Sequence, residues 1–125
     1  MASLCEKNKV LGDDMNILSF ENGKVFVEAA AVGQRIYDKA FFGRKFLLEK
    51  AFWLKQDSKN FHQEITTGQM KYYLSSFANL FWDQLDQLAY QRVFHLLSQI
   101  RQNLQLFELH FTKDREAWEY VKNIR

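Results

Sequence analysis

The stretch that decides the predicted fold is ITTGQMKYYLSSFANLFWDQLDQLAYQRVFHLLSQIRQNLQLF, residues 65–107. Its apolar side chains recur at steps of three and four residues, the spacing that places them on one face of an α-helix. So long a run is rarely one helix in a globular domain, and we place a break at residues 82–87. The stretch therefore predicts long amphipathic helices, whose apolar residues are Met70, Tyr73, Leu74, Phe77, Phe81, Leu85, Leu88, Ala89, Val93, Leu96, Ile100, Leu104 and Phe107.

The first of these helices has a local start signal. Thr66 is followed three residues later by Gln69, the pattern of a capping box in which each side chain satisfies a backbone amide near the helix start. Ile65, just before the cap, can pack on Met70 in the manner of a hydrophobic staple. We therefore expect the helix to begin at Thr66.

Residues 24–55 are also predicted to be helical, because their apolar residues again recur at three- and four-residue steps. Alanine, which has the best helix propensity, occupies positions 29–31. Gly33 and Gly43 each weaken a helix by about 1 kcal/mol, so the segment is one kinked helix or two helices. The polar residues 56–63 are expected to form a loop. A last short helix is expected to begin at Thr112 or Asp114 and to bury Ala117, Trp118 and Val121.

The amino-terminal residues 1–23 are the least regular part of the chain. They include the dipeptide Asn22-Gly23, which tolerates the positive φ angles of a type I′ turn and lies between apolar residues. Two interpretations stay open: a short β-hairpin, or an irregular arm that precedes a helix. The predicted fold class is all-α, a small helical bundle in a single domain of residues 1–125, with the arm or hairpin at 1–23, a first helical segment at 24–55 and further helices at 66–125.

Composition restricts the functional classes. The chain has 125 residues, 17 Lys and Arg, 15 Asp and Glu, no proline and one cysteine. A single cysteine cannot form an internal disulfide, which excludes a disulfide-stapled secreted scaffold. No window approaches the roughly 18 to 20 uncharged apolar residues of a membrane span. We therefore expect a cytoplasmic protein that has no membrane partner.

No spacing indicates a catalytic or metal site. Cys5 has no histidine nearby in sequence to act as its base. The three histidines, His62, His95 and His110, are 33 and 15 residues apart, which fits no helical metal-ligand spacing. We therefore expect no enzyme activity, no cofactor and no metal. A small helical enzyme would need a polar constellation assembled in three dimensions, which spacing does not reveal.

The basic residues are more informative. Residues 35–59 contain seven bases, Arg35, Lys39, Arg44, Lys45, Lys50, Lys55 and Lys59, against three acids. Such a local excess can neutralise phosphates, although a solvated helix face is an equal alternative. From residue 87 to residue 107 the only charges are Arg92 and Arg101 among glutamines. That neutral polar face could pack on another subunit, or bind sugar hydroxyls and phosphates.

Two short motifs carry a family resemblance. TTGQMK at residues 66–71, and LDQLAYQR at residues 85–92 followed by Arg101, resemble segments of the small helical subunit of type III-A CRISPR–Cas (Csm) effector complexes. The resemblance implies a non-catalytic, RNA-binding structural subunit in antiviral defence. Such a subunit stacks in several copies along the guide RNA–target RNA duplex and contacts the backbone and large subunits.

On the matching positions, the resemblance implies that Lys71, Arg92 and Arg101 contact RNA. The local charge excess adds Arg44, Lys45 and Lys50 as further RNA-binding candidates. The alternative is a helical protein–protein adaptor or inhibitor that has no nucleic-acid role. In that case the neutral polar face and the aromatic residues would meet a protein partner.

Overall fold

The computed structural model describes residues 10–12, 16–30, 39–77 and 84–124, which form a mixed α/β fold. The all-α prediction is therefore wrong, and so is the helical bundle. The described residues contain three α-helices, α1 (Thr67–Phe77), α2 (Gln87–Asn103) and α3 (Arg115–Lys122). They also contain six strands, β1 (Asn16–Glu21), β2 (Lys24–Ala29), β3 (Phe46–Leu47), β4 (Lys50–Gln56), β5 (Phe61–Glu64) and β6 (Gln105–Phe111).

The first sheet is antiparallel, in the order β1-β2-β3. Its β1–β2 hairpin turns at Asn22 and Gly23, whose φ angles are 51° and 75°. Both values are positive, as a type I′ turn requires. Of the two interpretations left open for this region, the structure has the hairpin, and the hairpin extends as far as residue 29.

The second sheet has the order β4-β6-β5, with β6 in the centre. Strands β4 and β6 are parallel, with Trp53 opposite Glu108 and Lys55 opposite His110. Strands β5 and β6 are antiparallel, with Gln63 opposite Glu108. Side chains alternate between the two faces of a strand. Glu108 and His110 therefore lie on the same face of this sheet, together with Trp53, Lys55, Phe61 and Gln63.

One hydrophobic core joins the two sheets to α1 and α2. Val25 of the first sheet and Leu106 of β6 are each only 1% exposed. The remaining buried members come from the helices and the residues beside them: Ile65, Met70, Ile100 and Leu104. The predicted contact between Ile65 and Met70 is consistent with this arrangement, because both belong to the same buried cluster.

The predicted helix over residues 24–55 is wrong, since β2, β3 and all but the last residue of β4 lie within it. Strand β4, KAFWLKQ, has apolar residues on both faces, because its residues 51–54 are a continuous apolar run without alternation. Such a run cannot be assigned to a helix or a strand from periodicity alone. The same reason explains β6, QLFELHF, which was predicted to continue the apolar stripe of a helix. Residues 31–38, which include Arg35, lie outside the described residues.

The helix starts were better predicted than the strands. Helix α1 begins directly after Thr66, although the Thr66 hydroxyl donates to Gln69 Oε1 at 3.1 Å instead of accepting from a backbone amide. Helix α2 follows Asp86, whose side chain accepts a hydrogen bond from the Ala89 amide. Helix α3 follows Asp114, whose side chain accepts from two amides of the first turn. No helix among the described residues is long and apolar enough to cross a membrane.

Candidate functional site

The densest polar cluster surrounds Glu108, in the central strand of the second sheet. Its side chain is 8% exposed and receives four contacts. Gln63 Nε2 donates to Glu108 Oε1 at 3.0 Å, and Tyr73 Oη donates to Oε2 at 3.3 Å. Lys55 Nζ lies 2.8 Å from Oε2, and His110 Nε2 lies 2.7 Å from Oε1. A buried carboxylate is tolerated because opposite charges and hydrogen-bond donors surround it.

His110 extends this cluster towards the surface. Its Nδ1 lies 2.8 Å from Asp57 Oδ2, so the imidazole bridges two carboxylates, one on each ring nitrogen. The Phe61 ring stacks on the imidazole at 4.1 Å between centroids. A neutral imidazole has only one N–H, whereas the imidazolium has two. This geometry therefore favours the protonated form of His110.

The pKa values of the cluster shift in directions that agree with its contacts. Hydrogen bonds from Lys55 and His110 lower the pKa of Glu108 to about 2. Hydrogen bonds to Glu108 and Asp57 raise the pKa of His110, and the bond to His110 lowers the pKa of Asp57. The hydrogen bond to Glu108 raises the pKa of Lys55. The charged form of each of these four groups is therefore favoured.

The chemistry available to this cluster is restricted by its own hydrogen bonds. Glu108 already accepts from four groups, and a carboxyl group with a pKa of about 2 is a weak base near neutral pH. Each ring nitrogen of His110 is already hydrogen-bonded to a carboxylate. These contacts suit a cluster that holds the three strands together better than one that exchanges protons with a substrate. No group of three or more His, Cys, Asp or Glu side chains suited to a metal ion occurs among the described residues.

Spacing along the chain does not reveal this cluster, because its members are distant from one another in sequence. One local signal was present, the two-residue spacing of Glu108 and His110 within the otherwise apolar FELHF. That spacing places two polar side chains on the same face of a strand. In a helix the same two residues would point in different directions. With a helix predicted here, their position on a common face could not be recognised.

A second candidate site is the outer face of α2. We define the α2 outer face as the arc of the helix that Leu88 and Arg92 bound on one flank and Tyr90 on the other, with Gln91, Phe94, His95 and Ser98 between them. Five of these residues, Tyr90, Gln91, Phe94, His95 and Ser98, line an open depression. Leu88 is 56% exposed and Tyr90 46% exposed. Helix α2 contains no Asp or Glu. The α2 outer face thus combines exposed apolar groups with an absence of negative charge.

The RNA-contact candidates implied by the resemblance lie on α1 and α2. Arg92 is exposed and belongs to the α2 outer face, whereas Arg101 is half-buried. The Nε atom of Arg101 is buried and has no hydrogen-bond partner in the part of the chain that the structure describes. Lys71 lies in α1, but its side chain is outside the described residues. Of the two candidate side chains that the structure describes, Arg92 lies at an open surface and Arg101 does not.

The candidates from the local charge excess, Arg44, Lys45 and Lys50, do not form one basic helix face, because none of the three lies in a helix. Lys45 forms an ion pair with Glu21 of β1. Lys50 Nζ donates to the Ile124 carbonyl at 3.3 Å. The Arg44 guanidinium lies over the Phe46 ring, 5.2 Å from its centroid. Each of these cations thus has a partner within the chain.

Comparison with protein-family models, with curated proteins and with solved structures finds no match for this chain.

Proposed function

We propose that the protein works by binding a protein partner through the α2 outer face. The observation that carries this proposal is the composition of that face, where Leu88, Tyr90 and Arg92 are exposed and no acidic residue occurs along α2. The central parts of protein–protein interfaces are enriched in aromatic residues and Arg and depleted of Lys, Glu and Asp. The α2 outer face has this composition, whereas an ordinary solvated helix face carries more Glu and Lys.

The charge density favours a protein partner over RNA. Helices α1 and α2 together carry three cationic side chains, at Lys71, Arg92 and Arg101. Phosphate neutralisation by Lys and Arg supplies essentially all of the non-specific affinity for nucleic acid, and three cations neutralise few phosphates. A protein partner that covers this arc needs only a carboxylate and an apolar side chain on the flank of Leu88 and Arg92, and an apolar side chain on the flank of Tyr90.

The function that the family resemblance implies, an RNA-binding subunit of a type III CRISPR effector, stays a prediction. Its partners would be guide RNA and target RNA, the backbone and large subunits, and copies of the same chain. This hypothesis assumed a helical bundle, which the protein does not have. The motif segments at 66–71 and 85–92 do include the first turns of α1 and α2. A cytoplasmic location fits either partner and is part of the same proposal.

Photo-crosslinking in cells that naturally produce the protein tests the partner class. A benzophenone amino acid replaces Gln91 on the α2 outer face, and in a matched control it replaces exposed Lys59 in the turn after β4. We expect a discrete protein adduct from position 91, resistant to ribonuclease and absent from position 59. An adduct that ribonuclease destroys, or the same adduct from both positions, would overturn the proposal.

A further inference from the structure

We propose that His110 is a pH-operated clasp: its imidazolium holds Asp57 and Glu108 together, and loss of one proton releases Asp57 while Glu108 stays bound. Asp57 is the first residue after β4, at the start of the turn that leads to β5. The clasp would therefore control how the Asp57 side chain attaches to the central strand β6, while the Asp57 backbone amide stays bonded to the Phe111 carbonyl at 2.9 Å. This inference does not depend on the function proposed for α2.

The clasp follows from the two hydrogen bonds of the imidazole. His110 Nδ1 lies 2.8 Å from Asp57 Oδ2, and Nε2 lies 2.7 Å from Glu108 Oε1. An imidazolium donates through both nitrogens, and a neutral imidazole donates through one. After deprotonation, one carboxylate must face an imidazole lone pair, which repels it. One of the two contacts has to break.

The surroundings decide which contact breaks. Glu108 is 8% exposed and is also bound by Lys55, Gln63 and Tyr73. Asp57 is 35% exposed, and its other oxygen accepts from the Ser58 amide at 2.6 Å. Water can replace the imidazole at Asp57 but not at Glu108, where losing a donor leaves a buried charge less satisfied. The remaining proton therefore stays on Nε2, and Asp57 turns outward.

The described groups that face His110 support this order. Lys55 on β4 and Glu108 on β6 form an ion pair beside the imidazole, and Phe61 on β5 stacks on its ring. With His110 protonated, Lys55, Asp57, Glu108 and His110 sum to zero charge. Without the proton they sum to one negative charge, which the exposed Asp57 relieves by moving into water.

The extent of the movement is limited at both ends of the turn, by the bond from the Asp57 amide to the Phe111 carbonyl and by the contacts of Asn60. The Thr112 amide donates to Asn60 Oδ1 at 2.9 Å, and Asn60 Nδ2 donates to Thr112 Oγ1 at 3.0 Å. Neither bond involves a group that titrates in this range. Release of the Asp57 side chain should therefore alter the surroundings of residues 57–59, leaving the Asp57 amide bonded to Phe111 and Asn60 attached to Thr112.

NMR titration of the full chain, with labelled histidine side chains and backbone amides, tests the clasp between pH 5 and 9. We expect both His110 nitrogens to carry protons at the acidic end, and Nε2 alone to carry one at the alkaline end. The Ser58 amide should shift with the same midpoint as His110, and that midpoint should lie above 6.5. Retention of the proton on Nδ1 would overturn the proposal.

Two variants and one control complete this test. Asp57→Asn should lower the His110 midpoint at least three times as much as Glu64→Gln, which removes the same charge from an exposed position on β5. His110→Gln should abolish the shift of the Ser58 amide. A Ser58 transition that persists in His110→Gln, or equal effects of Asp57→Asn and Glu64→Gln, would contradict the clasp. If the His110→Gln variant does not fold, the His110 midpoints of Asp57→Asn and Glu64→Gln decide the test by themselves.

Discussion

Lys55 Nζ lies 2.8 Å from Glu108 Oε2, so the parallel strands β4 and β6 are joined by an ion pair as well as by their backbone hydrogen bonds. The two residues differ greatly in environment, because the Lys55 side chain is 47% exposed and that of Glu108 is 8% exposed. The pair therefore stabilises the fold mainly by satisfying Glu108, a buried charge that depends on its hydrogen-bond donors.

Glu108→Gln should destabilise the fold by about 1–3 kcal/mol, because the Lys55 and His110 donors lose their charged acceptor in a buried position. Urea unfolding near pH 6 measures this change. Glu64→Gln is the matched control on exposed strand β5 and should change stability by less than about 0.5 kcal/mol. Equal effects of the two variants would mean that the Glu108 cluster does not hold the sheet together.

The stability that the cluster supplies should be greatest between about pH 4.5 and 6.5. The pKa of Glu108 is lowered from 4.5 to about 2, so its contribution is complete above 4.5 and is lost as the pH falls towards 2. The pKa of His110 is raised from 6.5, so its contribution is complete below 6.5 and is lost as the pH rises through the raised value. Urea unfolding across pH 3 to 9, compared with His110→Gln, measures the alkaline loss, which should be smaller in the variant.

Leu106→Ala should cost about 2–5 kcal/mol, because the side chain is 1% exposed and its removal leaves a cavity where the two sheets meet α1 and α2. Leu54→Ala on β4 is the control, since Leu54 is 48% exposed, and it should cost less than about 1 kcal/mol. Thermal or urea unfolding compares the two. Similar losses would show that the core is not centred on Leu106.

Two glycines should respond in opposite directions to alanine. Gly23 has a φ of 75°, which an alanine adopts with strain, so Gly23→Ala should destabilise the hairpin by about 1–2 kcal/mol. Gly68 lies in the first turn of α1, and a Cβ there meets nothing within 4 Å. Gly68→Ala should stabilise the fold by up to about 1 kcal/mol. The opposite signs are checked by urea unfolding, and a stabilising Gly23→Ala would refute the turn geometry.

The parts of this fold that could be predicted from the sequence depend on local signals. Asp86 and Asp114 mark helix starts because a capping side chain bonds to amides within the next three residues. Asn22-Gly23 marks the hairpin because these two residue types tolerate the positive φ angles of a type I′ turn. Strand β6 could not be distinguished from a helix by periodicity, since apolar residues occur on both of its faces. The Glu108 cluster requires β4, β5 and β6 to be paired first, so no local pattern predicts it.

The proposed protein-binding role of the α2 outer face is tested most directly by sedimentation of the tagged chain from native cells after ribonuclease treatment. We predict that the wild type sediments well above its own 14.9 kDa, and that Leu88→Asp returns it to the position of the monomer. Phe42→Asp, at a residue that is 42% exposed and lies away from α2 in the sequence, should leave the complex intact. A wild type that sediments as a monomer, or a complex that ribonuclease alone dissolves, would contradict a protein partner.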